Sequence, residues 1–331
     1  MKPLFSIFLF ALGALIASAC GNKSAETTAP DAPAEAPSAT LAAADVAADA
    51  DSLFMYVADQ VAMGPRIPGT PGHDRCVDYI IARLKRAGAV VTVQDTLFAP
   101  AHSSVSPQRV RNITGSFNVG APRHVLLLAH YDTRPWADEE ADAALHNTPI
   151  DGANDGGSGV AVLLEIARLM RNLPNNLEVE LLFVDAEDAG NHNDDLSWCI
   201  GSQAWADAFD PASRRMPDYA ILLDMVGARN ACFHREYFSE RYARSVNDLV
   251  WDAARRAGYA NRFVDKVGGA LNDDHIHIMS VGIPAIDIVE SLNPETGSFN
   301  PSWHTLSDNL DNIDPATLKM TADVVINSIF H

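Results

Sequence analysis

The fold class is decided by His124-Val-Leu-Leu-Leu-Ala-His130, in which every residue between the two histidines is apolar. An unbroken apolar run of this length predicts a strand covered on both faces, as strands of parallel sheets are. Further elements follow from other apolar runs, helical periodicity and caps. The predicted strands are Val90–Thr96, Leu177–Val184, Tyr219–Met225 and Ile283–Val289, and the predicted helices are Gly72–Gly88, Ser158–Met170, Glu240–Ala257 and Pro315–Ile329. Helices that alternate with strands predict a single α/β domain, with a mixed, mostly parallel, twisted sheet between two helix layers.

The N-terminal 50 residues differ in composition from the rest of the chain. Residues 1–20 carry a basic residue, a mostly apolar run from Leu4 to Ile16 and three small residues before Cys20, a pattern typical of a bacterial secretion signal. Cys20 resembles the lipidated first residue of a mature lipoprotein, with ordinary cleavage or an uncleaved anchor as alternatives. Residues 21–50 are rich in Ala and Pro and predict a disordered tether. We expect export to the periplasm or cell envelope, a lipid anchor, and one folded domain over residues 51–331.

The charge of the chain excludes two classes of partner. Of its 331 residues, 24 are Lys or Arg and 43 are Asp or Glu, which gives a formal net charge of −19. Because nucleic acids and anionic membranes attract cationic surfaces, we expect the folded domain to bind neither. The four cysteines contain no CxxC pair, so no zinc ribbon or disulfide framework is indicated, although a bridge between Cys199 and Cys232 stays open.

Side chains of metal-binding type occur just after several predicted strands and near the C-terminus. They are His130, Asp132, Asp155, Glu187, Asp188, Asp224 and His304. A single acidic residue at a strand end is more often a cap or a surface charge, but ligands of an open α/β sheet bind beyond the carboxyl ends of its strands. The loop around Asp155 is glycine-rich, and a plain strand-to-helix turn capped by Ser158, or a phosphate cradle, is its alternative interpretation. It lacks the Lys of a Walker loop and the spacing of a dinucleotide fingerprint.

Glu187 and Asp188 are adjacent carboxylates at the end of an apolar strand. Neighbouring side chains point in different directions, so one can bind a metal while the other acts as a base. These carboxylates are costly to desolvate unless a cation compensates them, and Asp224 adds a third. Imidazole and carboxylate ligands suit zinc, so the sequence predicts a zinc site with one position open to water or substrate.

From Gly64 to the C-terminus the sequence resembles the zinc aminopeptidase and glutaminyl cyclase superfamily. The segments that favour the cyclase branch are Gly64-Pro-Arg-Ile-Pro-Gly69, His130-Tyr-Asp-Thr-Arg-Pro135, Ser197-Trp-Cys-Ile-Gly-Ser202, Asp273-Asp-His-Ile276 and Trp303-His-Thr-Leu-Ser-Asp-Asn309. The last two resemble segments of glutaminyl-peptide cyclotransferases, including secreted bacterial ones. The resemblance implies a zinc aminopeptidase-like α/β hydrolase topology and conversion of an N-terminal Gln to pyroglutamate with release of ammonia.

The resemblance also implies roles for the metal ligands and the base. Asp155, Asp188 and His304 match the ligands of one zinc ion, with Asp188 where animal relatives carry Glu. The ion is expected to act as a Lewis acid on the substrate γ-carboxamide oxygen. Glu187 matches the group that accepts a proton from the substrate α-amine and delivers it to the departing ammonia.

Four further residues are assigned to the surroundings of the base. Asp224 and Asp273 match a hydrogen-bonded acidic pair beside it. Trp303 matches an aromatic wall of the substrate pocket, and we expect Trp198 to supply a second wall. Animal relatives carry a histidine where Asp287 stands, so the resemblance implies no role for Asp287.

Two other functions remain open at the level of sequence. In a dinuclear zinc aminopeptidase, His130 and Asp224 would hold a second zinc ion, Asp155 would bridge the two, and Glu187 would activate water. A non-catalytic peptide-binding lipoprotein is the third hypothesis, which the presence of Glu187 and all ligands disfavours. The expected partners are peptides or proteins with an N-terminal Gln, and the expected form is a monomer.

Overall fold

The computed structural model describes residues 46–330, so the predicted signal, Cys20 and most of the predicted tether lie outside the described residues. The strands are β1 (Val90–Phe98), β2 (Gln108–Phe117), β3 (Arg123–His130), β4 (Leu177–Val184), β5 (Tyr219–Leu223), β6 (Phe233–Arg235), β7 (Phe263–Val267) and β8 (Ala285–Ile288). The helices are α1 (Ala50–Val61), α2 (Pro71–Ala87), α3 (Ser158–Leu169), α4 (Ile200–Asp207), α5 (Tyr237–Tyr242), α6 (Arg244–Arg256), α7 (Asp274–Ser280) and α8 (Pro315–Ile329). Within residues 46–330 no helix has the length and apolar character needed to cross a bilayer.

The main sheet has six strands in the order β1-β2-β4-β3-β5-β8. Strands β4, β3, β5 and β8 pair in parallel, whereas β1 pairs with β2, and β2 with β4, in antiparallel fashion. The predicted α/β domain with a mixed, mostly parallel sheet is therefore confirmed. Strands β6 and β7 form a separate parallel pair.

Both faces of the sheet are covered, as the apolar run of β3 predicts. Val125 and Leu127 point to the side of the larger core, which contains residues of α1, α3 and α8. Leu126 and Leu128 point to the other side, where they pack in a smaller core with Trp205 of α4. Helices on both faces leave the ends of the strands as the accessible part of the sheet.

The structure corrects two sequence-based expectations and adds one strand that was not predicted. Residues 240–257 were expected to form one helix, but the chain turns at Ala243, with φ −135° and ψ 34°, so α5 and α6 are separate. Residues 46–50 fall in the predicted tether, yet Val46 and Ala48 are buried and the N–H of Ala48 donates to Asp323 at 2.8 Å. Strand β2 was not predicted, because its apolar residues are interrupted by Arg, Asn, Thr and Ser. The described cysteines, Cys76, Cys199 and Cys232, are free, so the possible Cys199–Cys232 bridge is not formed.

Candidate active site

Side chains that can bind metal or protons meet at the carboxyl ends of the parallel strands. His130 is the last residue of β3, Glu187 and Asp188 follow β4, and Asp224 follows β5. Although His130 and Asp224 are 94 positions apart in sequence, His130 Nε2 lies 3.1 Å from Asp224 Oδ1. The parallel sheet is what brings these predicted residues together.

Asp155 is directed into the site by the loop that precedes α3. The Asp308 carboxylate accepts the N–H of Asn154 at 2.8 Å and the N–H of Asp155 at 3.1 Å. Gly156 has a φ of +78°, and a Cβ there would lie 2.1 Å from the carbonyl oxygen of Asp132. Only glycine fits this position, so the glycine-rich loop serves to place Asp155.

The turn after β4 is fixed by Asp132. One oxygen of its carboxylate accepts the N–H of Glu187 at 3.0 Å, and the other accepts the N–H of Asp188 at 3.1 Å. Ala186, just before this pair, has a φ of +52°, which turns the chain out of the strand. Asp132 thus orients the two adjacent carboxylates, a role that the sequence did not assign to it.

Asp155, Asp188 and His304 form a buried group, in which one ligand atom of each lies within 4.8 Å of the others. His304 Nε2 is 3.0 Å from Asp188 Oδ1 and 3.7 Å from Asp155 Oδ2. Oδ2 of Asp188 has no hydrogen-bond partner among residues 46–330. Two carboxylates and an imidazole, with one buried oxygen left unpartnered, are a donor set that fits zinc. The structure therefore brings together the three predicted zinc ligands.

Arg134 and Asp138 contact the ligand group on the side away from the cavity opening, at the backbone of Asp188 and at the far nitrogen of His304. Arg134 Nη1 donates to the carbonyl oxygen of Asp188 at 2.9 Å, and Arg134 Nε and Nη2 donate to the Asp138 carboxylate at 2.8 and 2.6 Å. Asp138 Oδ1 in turn lies 3.5 Å from His304 Nδ1. A carboxylate near the far nitrogen of a ligating histidine favours the orientation in which that nitrogen faces it.

Protonation of the ligand group responds to its excess negative charge. Burial, followed by the nearby Asp155, raises the pKa of Asp188 to about 6. Burial alone would lower the pKa of His304, but Asp188, Asp138 and Asp155 together raise it to about 9. The metal-free group therefore retains protons, which a divalent cation would displace.

Glu187 lies beside the ligand group in acidic surroundings. Its Oε1 is 3.4 Å from the Cys199 thiol, and an oxygen of Asp273 lies within 4.8 Å of the ligand atoms of this pair. Burial, with Asp188, Asp273 and Asp274 as further causes, raises the pKa of Glu187 well above its ordinary value. A carboxylate with a raised pKa is better suited than an ordinary one to accept a proton and to return it.

Asp224 and Asp273 both line the same cavity but have different partners. Asp224 contacts His130, whereas Asp273 is the N-cap of α7 and accepts the N–H of Asp274 at 2.5 Å. Burial raises the pKa of Asp224 to about 7. With Asp155, His130 and Asp224 form a second group whose ligand atoms lie within 4.8 Å of one another.

The cavity in front of these groups has a volume of about 260 Å³ and is walled by aromatic rings. The Trp303 ring stacks on His304, with centroids 3.8 Å apart. Trp198 lies nearly parallel to His304 at 6.2 Å, and the Arg134 guanidinium lies 4.7 Å from the Trp198 ring. Both predicted aromatic residues therefore line the cavity.

Several residues of the site were missed at the sequence level. Arg134 and Asp308 stand inside segments that carried the family resemblance, so the sequence marked them without indicating what they contact. Cys199 also stands inside such a segment, although nothing in the sequence indicated its contact with Glu187. Asp138 had no such signal, because only the fold places it beside His304.

Comparison with known sequences gives a consistent family. A sequence profile described as Peptidase family M28 matches residues 112–329. Aminopeptidase YwaD of Bacillus subtilis is 25% identical over 86% of this chain, which spans 57% of the length of that relative. Glutaminyl-peptide cyclotransferase of Bothrops jararaca is 27% identical over 78% of this chain and 75% of its own length.

Solved structures are more similar in sequence. Glutaminyl cyclase of Bacteroides thetaiotaomicron, bound to N-acetylhistamine, is 42% identical over 86% of this chain and 99% of its own, with a TM-score of 0.82. A Zn-dependent exopeptidase from Parabacteroides distasonis is also 42% identical, over 86% of this chain and 99% of its own, with a TM-score of 0.80. The similarities thus include both cyclases and peptidases.

Proposed function

The chain belongs to peptidase family M28, and from that premise we propose that it is a zinc-dependent glutaminyl-peptide cyclotransferase. It would convert the N-terminal Gln of peptides or proteins to pyroglutamate and release ammonia. The observation that carries this proposal is the Asp155, Asp188 and His304 group, with Glu187 next to it, at the base of a cavity walled by Trp198 and Trp303. The similarity to a bacterial glutaminyl cyclase over 99% of that chain supports it.

One zinc ion is proposed, held by Asp155, Asp188 and His304. When bound, it supplies Lewis acidity toward the γ-carboxamide oxygen of the substrate Gln. Arg134 and Asp138 keep two of these ligands in place, since Arg134 holds the backbone of Asp188 and Asp138 faces the far nitrogen of His304.

Glu187 is the proposed proton carrier. The substrate α-amine attacks the side-chain carboxamide carbon, so it must give up a proton, which Glu187 accepts. As the bond between this carbon and the amide nitrogen breaks, Glu187 returns the proton to that nitrogen, which leaves as ammonia. Asp273 and Asp188 favour this exchange, because their negative charges help to raise the pKa of Glu187.

The cavity itself contributes by holding the substrate in a bent conformation. Amine and carboxamide belong to one molecule, so ring closure needs little further loss of entropy once the side chain is folded back. The small volume between Trp198 and Trp303 suits one compact side chain. The acidic lining, Asp195 and Asp273 included, attracts a cationic N-terminus.

A dinuclear aminopeptidase is the second candidate, and one observation favours it. His130, Asp155 and Asp224 form a second buried group with ligand atoms within 4.8 Å of one another. With two zinc ions bound, Glu187 would activate water, and the peptide bond would be cleaved instead.

One experiment separates these functions. The zinc-loaded chain is incubated with Gln-Ala and Leu-Ala, and the products are followed by mass spectrometry with an ammonia assay. We expect Gln-Ala to lose one ammonia, Leu-Ala to remain intact, and bound zinc to approach one ion per chain. Release of free Leu or Gln, with two ions per chain, would instead establish the aminopeptidase, and no reaction with either dipeptide would favour the peptide-binding lipoprotein.

We also propose that the chain is exported, lipidated at Cys20 and monomeric in its folded part. The signal-like composition of residues 1–20 supports export and lipidation. Expression in a bacterium should place the wild type in the membrane fraction and Cys20→Ser in the soluble periplasmic fraction, while equal distribution of the two would reject lipidation. Light scattering of the Cys20→Ser protein gives its mass.

A further inference from the structure

A second cavity lies next to the candidate active site and is mainly apolar. It has a volume of about 680 Å³ and is formed by α5, α7 and the segment before β8. Its lining includes Phe238, Tyr242, Ile276, Met279, Ile283 and Pro284, which together we call the α5–α7 groove. Tyr242 is 65% exposed, although it is a large aromatic residue. An open apolar concavity of this kind is typical of a binding site.

The groove is continuous with the active-site cavity. Asp195, Leu271 and Asn272 line both cavities, so the same short ridge forms the rim of each. Asn272 Nδ2 donates to the carbonyl oxygen of Asp195 at 3.0 Å, which joins the two loops of the ridge. A ligand that leaves the active-site cavity across this ridge enters the groove.

The walls of the groove are held in place before any ligand binds. The buried Glu236 carboxylate accepts the N–H of Phe238 at 3.0 Å and the N–H of Leu271 at 3.1 Å. It thereby fixes the start of α5 to the ridge. The rings of Phe238 and Tyr242 stack, with centroids 6.5 Å apart and planes inclined by 11°. A preformed apolar surface binds a side chain without the cost of ordering its own residues.

We propose that the α5–α7 groove binds an aromatic or branched aliphatic side chain of the substrate peptide, two to four residues after the N-terminal Gln. This inference rests on the proposed function, because it takes the Gln to occupy the active-site cavity. An extended peptide advances about 3.3–3.6 Å per residue, so two to four residues span roughly 7–14 Å, enough to cross the ridge. Asp195 is the one charged residue of the described groove lining. It can pair with a cationic side chain of the peptide, but an anionic side chain would find no partner of opposite charge there.

The test compares peptides that differ only at these positions. The parent is Gln-Ala-Ala-Ala-Ala amide, and three relatives carry Phe at the third, fourth or fifth residue. The kcat/KM of peptide consumption is measured by mass spectrometry for the zinc-loaded protein. We expect at least one Phe peptide to exceed the parent by about tenfold, the size of effect that burying much of one ring gives.

Two variants locate the preference. Tyr242→Ser removes a groove wall, and we expect it to reduce the preference to about threefold or less, with Gln-Ala turnover unchanged. Tyr237→Ser is the matched control, because Tyr237 is an aromatic residue of the same helix, is 43% exposed and is not part of the groove lining. It should keep the full preference. Met279→Ser provides a second groove variant on α7.

The outcomes separate this inference from the proposed function. Equal kcat/KM for all four peptides, or equal loss in Tyr237→Ser and Tyr242→Ser, would overturn the groove assignment. A Phe preference with release of free Gln would retain the groove and reject the cyclase. If no peptide is consumed, calorimetric dissociation constants of the parent and Phe peptides decide the groove alone. A Tyr242→Ser protein that changes only its oligomeric state would show that a second copy occupies the groove, against the proposal.

Discussion

Two acidic groups are equally buried in this molecule but differ in their hydrogen bonds. One is Glu236, at the start of α5, and the other is the ligand group around Asp188. The Glu236 carboxylate is surrounded by donors, which are the N–H groups of Phe238, Ser239 and Leu271, the Ser239 hydroxyl and the His275 ring. Oδ2 of Asp188 has no such partner among residues 46–330.

The pKa values of the two groups move in opposite directions for this reason. Burial alone would raise the pKa of Glu236, but His275 and the backbone donors lower it to about 2. Burial raises the pKa of Asp188 to about 6, because Oδ2 lacks a donor and Asp155 lies near. Burial of a carboxylate is therefore not what marks the active site. What distinguishes the active site is negative charge that hydrogen-bond donors of the protein do not compensate and that a cation can compensate.

The largest expected effect comes from an amide in place of the proposed proton carrier. Glu187→Gln keeps the shape of the side chain but cannot accept a proton from the α-amine. We expect kcat on Gln-Ala to fall by about 10²–10⁴-fold, with zinc content unchanged and the free energy of unfolding not reduced. A discontinuous ammonia assay measures kcat, and thermal unfolding measures the stability.

Asp195→Asn is the control for this variant, since Asp195 also lines the cavity but is exposed. It should change kcat by no more than about twofold, as expected of a screened surface charge. A similar loss of activity in both variants would mean that the field of the cavity, rather than proton transfer at Glu187, controls the rate.

The same Glu-to-Gln substitution at Glu236, whose carboxylate is fully hydrogen-bonded, should reduce the stability of the fold rather than the activity. Glu236→Gln removes part of the acceptor capacity that its donors use, and we expect a loss of about 2–4 kcal/mol in the free energy of unfolding. The Glu236 carboxylate has a lowered pKa, so its contribution is present above about pH 4.5 and is lost as the pH falls toward 2. Urea unfolding at pH 7 and pH 3 should therefore show a smaller difference between variant and wild type at pH 3.

If Glu236→Gln is as stable as the wild type at pH 7, the hydrogen bonds to the Glu236 carboxylate do not stabilise the fold, and Glu236 does not differ from the Asp188 group in this respect. The variant also bears on the groove, since Glu236 holds Phe238 and Leu271 in place. Its preference for Phe peptides should fall even where its Gln-Ala turnover survives.

Zinc should stabilise the chain increasingly as the pH rises. The raised pKa values of Asp188, about 6, and His304, about 9, mean that the metal-free folded chain holds protons that the unfolded chain has released. The contribution of these two groups to stability therefore falls as the pH rises from about 4 to 9, whereas zinc binding, which displaces those protons, strengthens. We expect the gap between zinc-loaded and chelator-treated unfolding free energies to widen by roughly 1 kcal/mol per pH unit between pH 6 and 8.

Calorimetric scans of both forms at constant ionic strength measure this gap, and His304→Ala, which lacks one proposed zinc ligand, should show little gap at any pH. A gap that is constant with pH would indicate that the ligand group holds no extra protons before metal binds.

The sequence predicted those features that depend on local pattern. Strand β4 and helix α8 occur with the predicted bounds, because an apolar run and an Asp-Pro start are local signals. It also predicted which carboxylates and histidine gather at the strand ends. It could not predict β2, whose burial depends on its neighbours β1 and β4, or the break at Ala243 between α5 and α6. Contacts such as Arg134 with Asp188 join distant loops, so spacing alone does not reveal them.

The smallest expected effect comes from a substitution at Asp287. It is fully buried on β8, and a carboxylate oxygen lies within 4.8 Å of ligand atoms of Asp273 and His275. Burial, followed by the charges of Asp273 and Asp224, raises its pKa well above the ordinary value, which favours the neutral acid. An amide resembles a neutral acid in shape and polarity, and Asp287→Asn should therefore change kcat/KM by less than about threefold and stability by less than about 1 kcal/mol.

The matched change at the neighbouring carboxylate should behave differently. Asp273 lines the cavity and contributes to the raised pKa of Glu187, so Asp273→Asn should lower kcat/KM by at least about tenfold and shift its acidic limb to lower pH. If Asp287→Asn has the same pH-profile shift as Asp273→Asn, then Asp287 is ionised in the folded chain. In that case its negative charge would belong to the active-site acidic group, and Glu236 alone would represent the buried carboxylates whose charge the protein compensates.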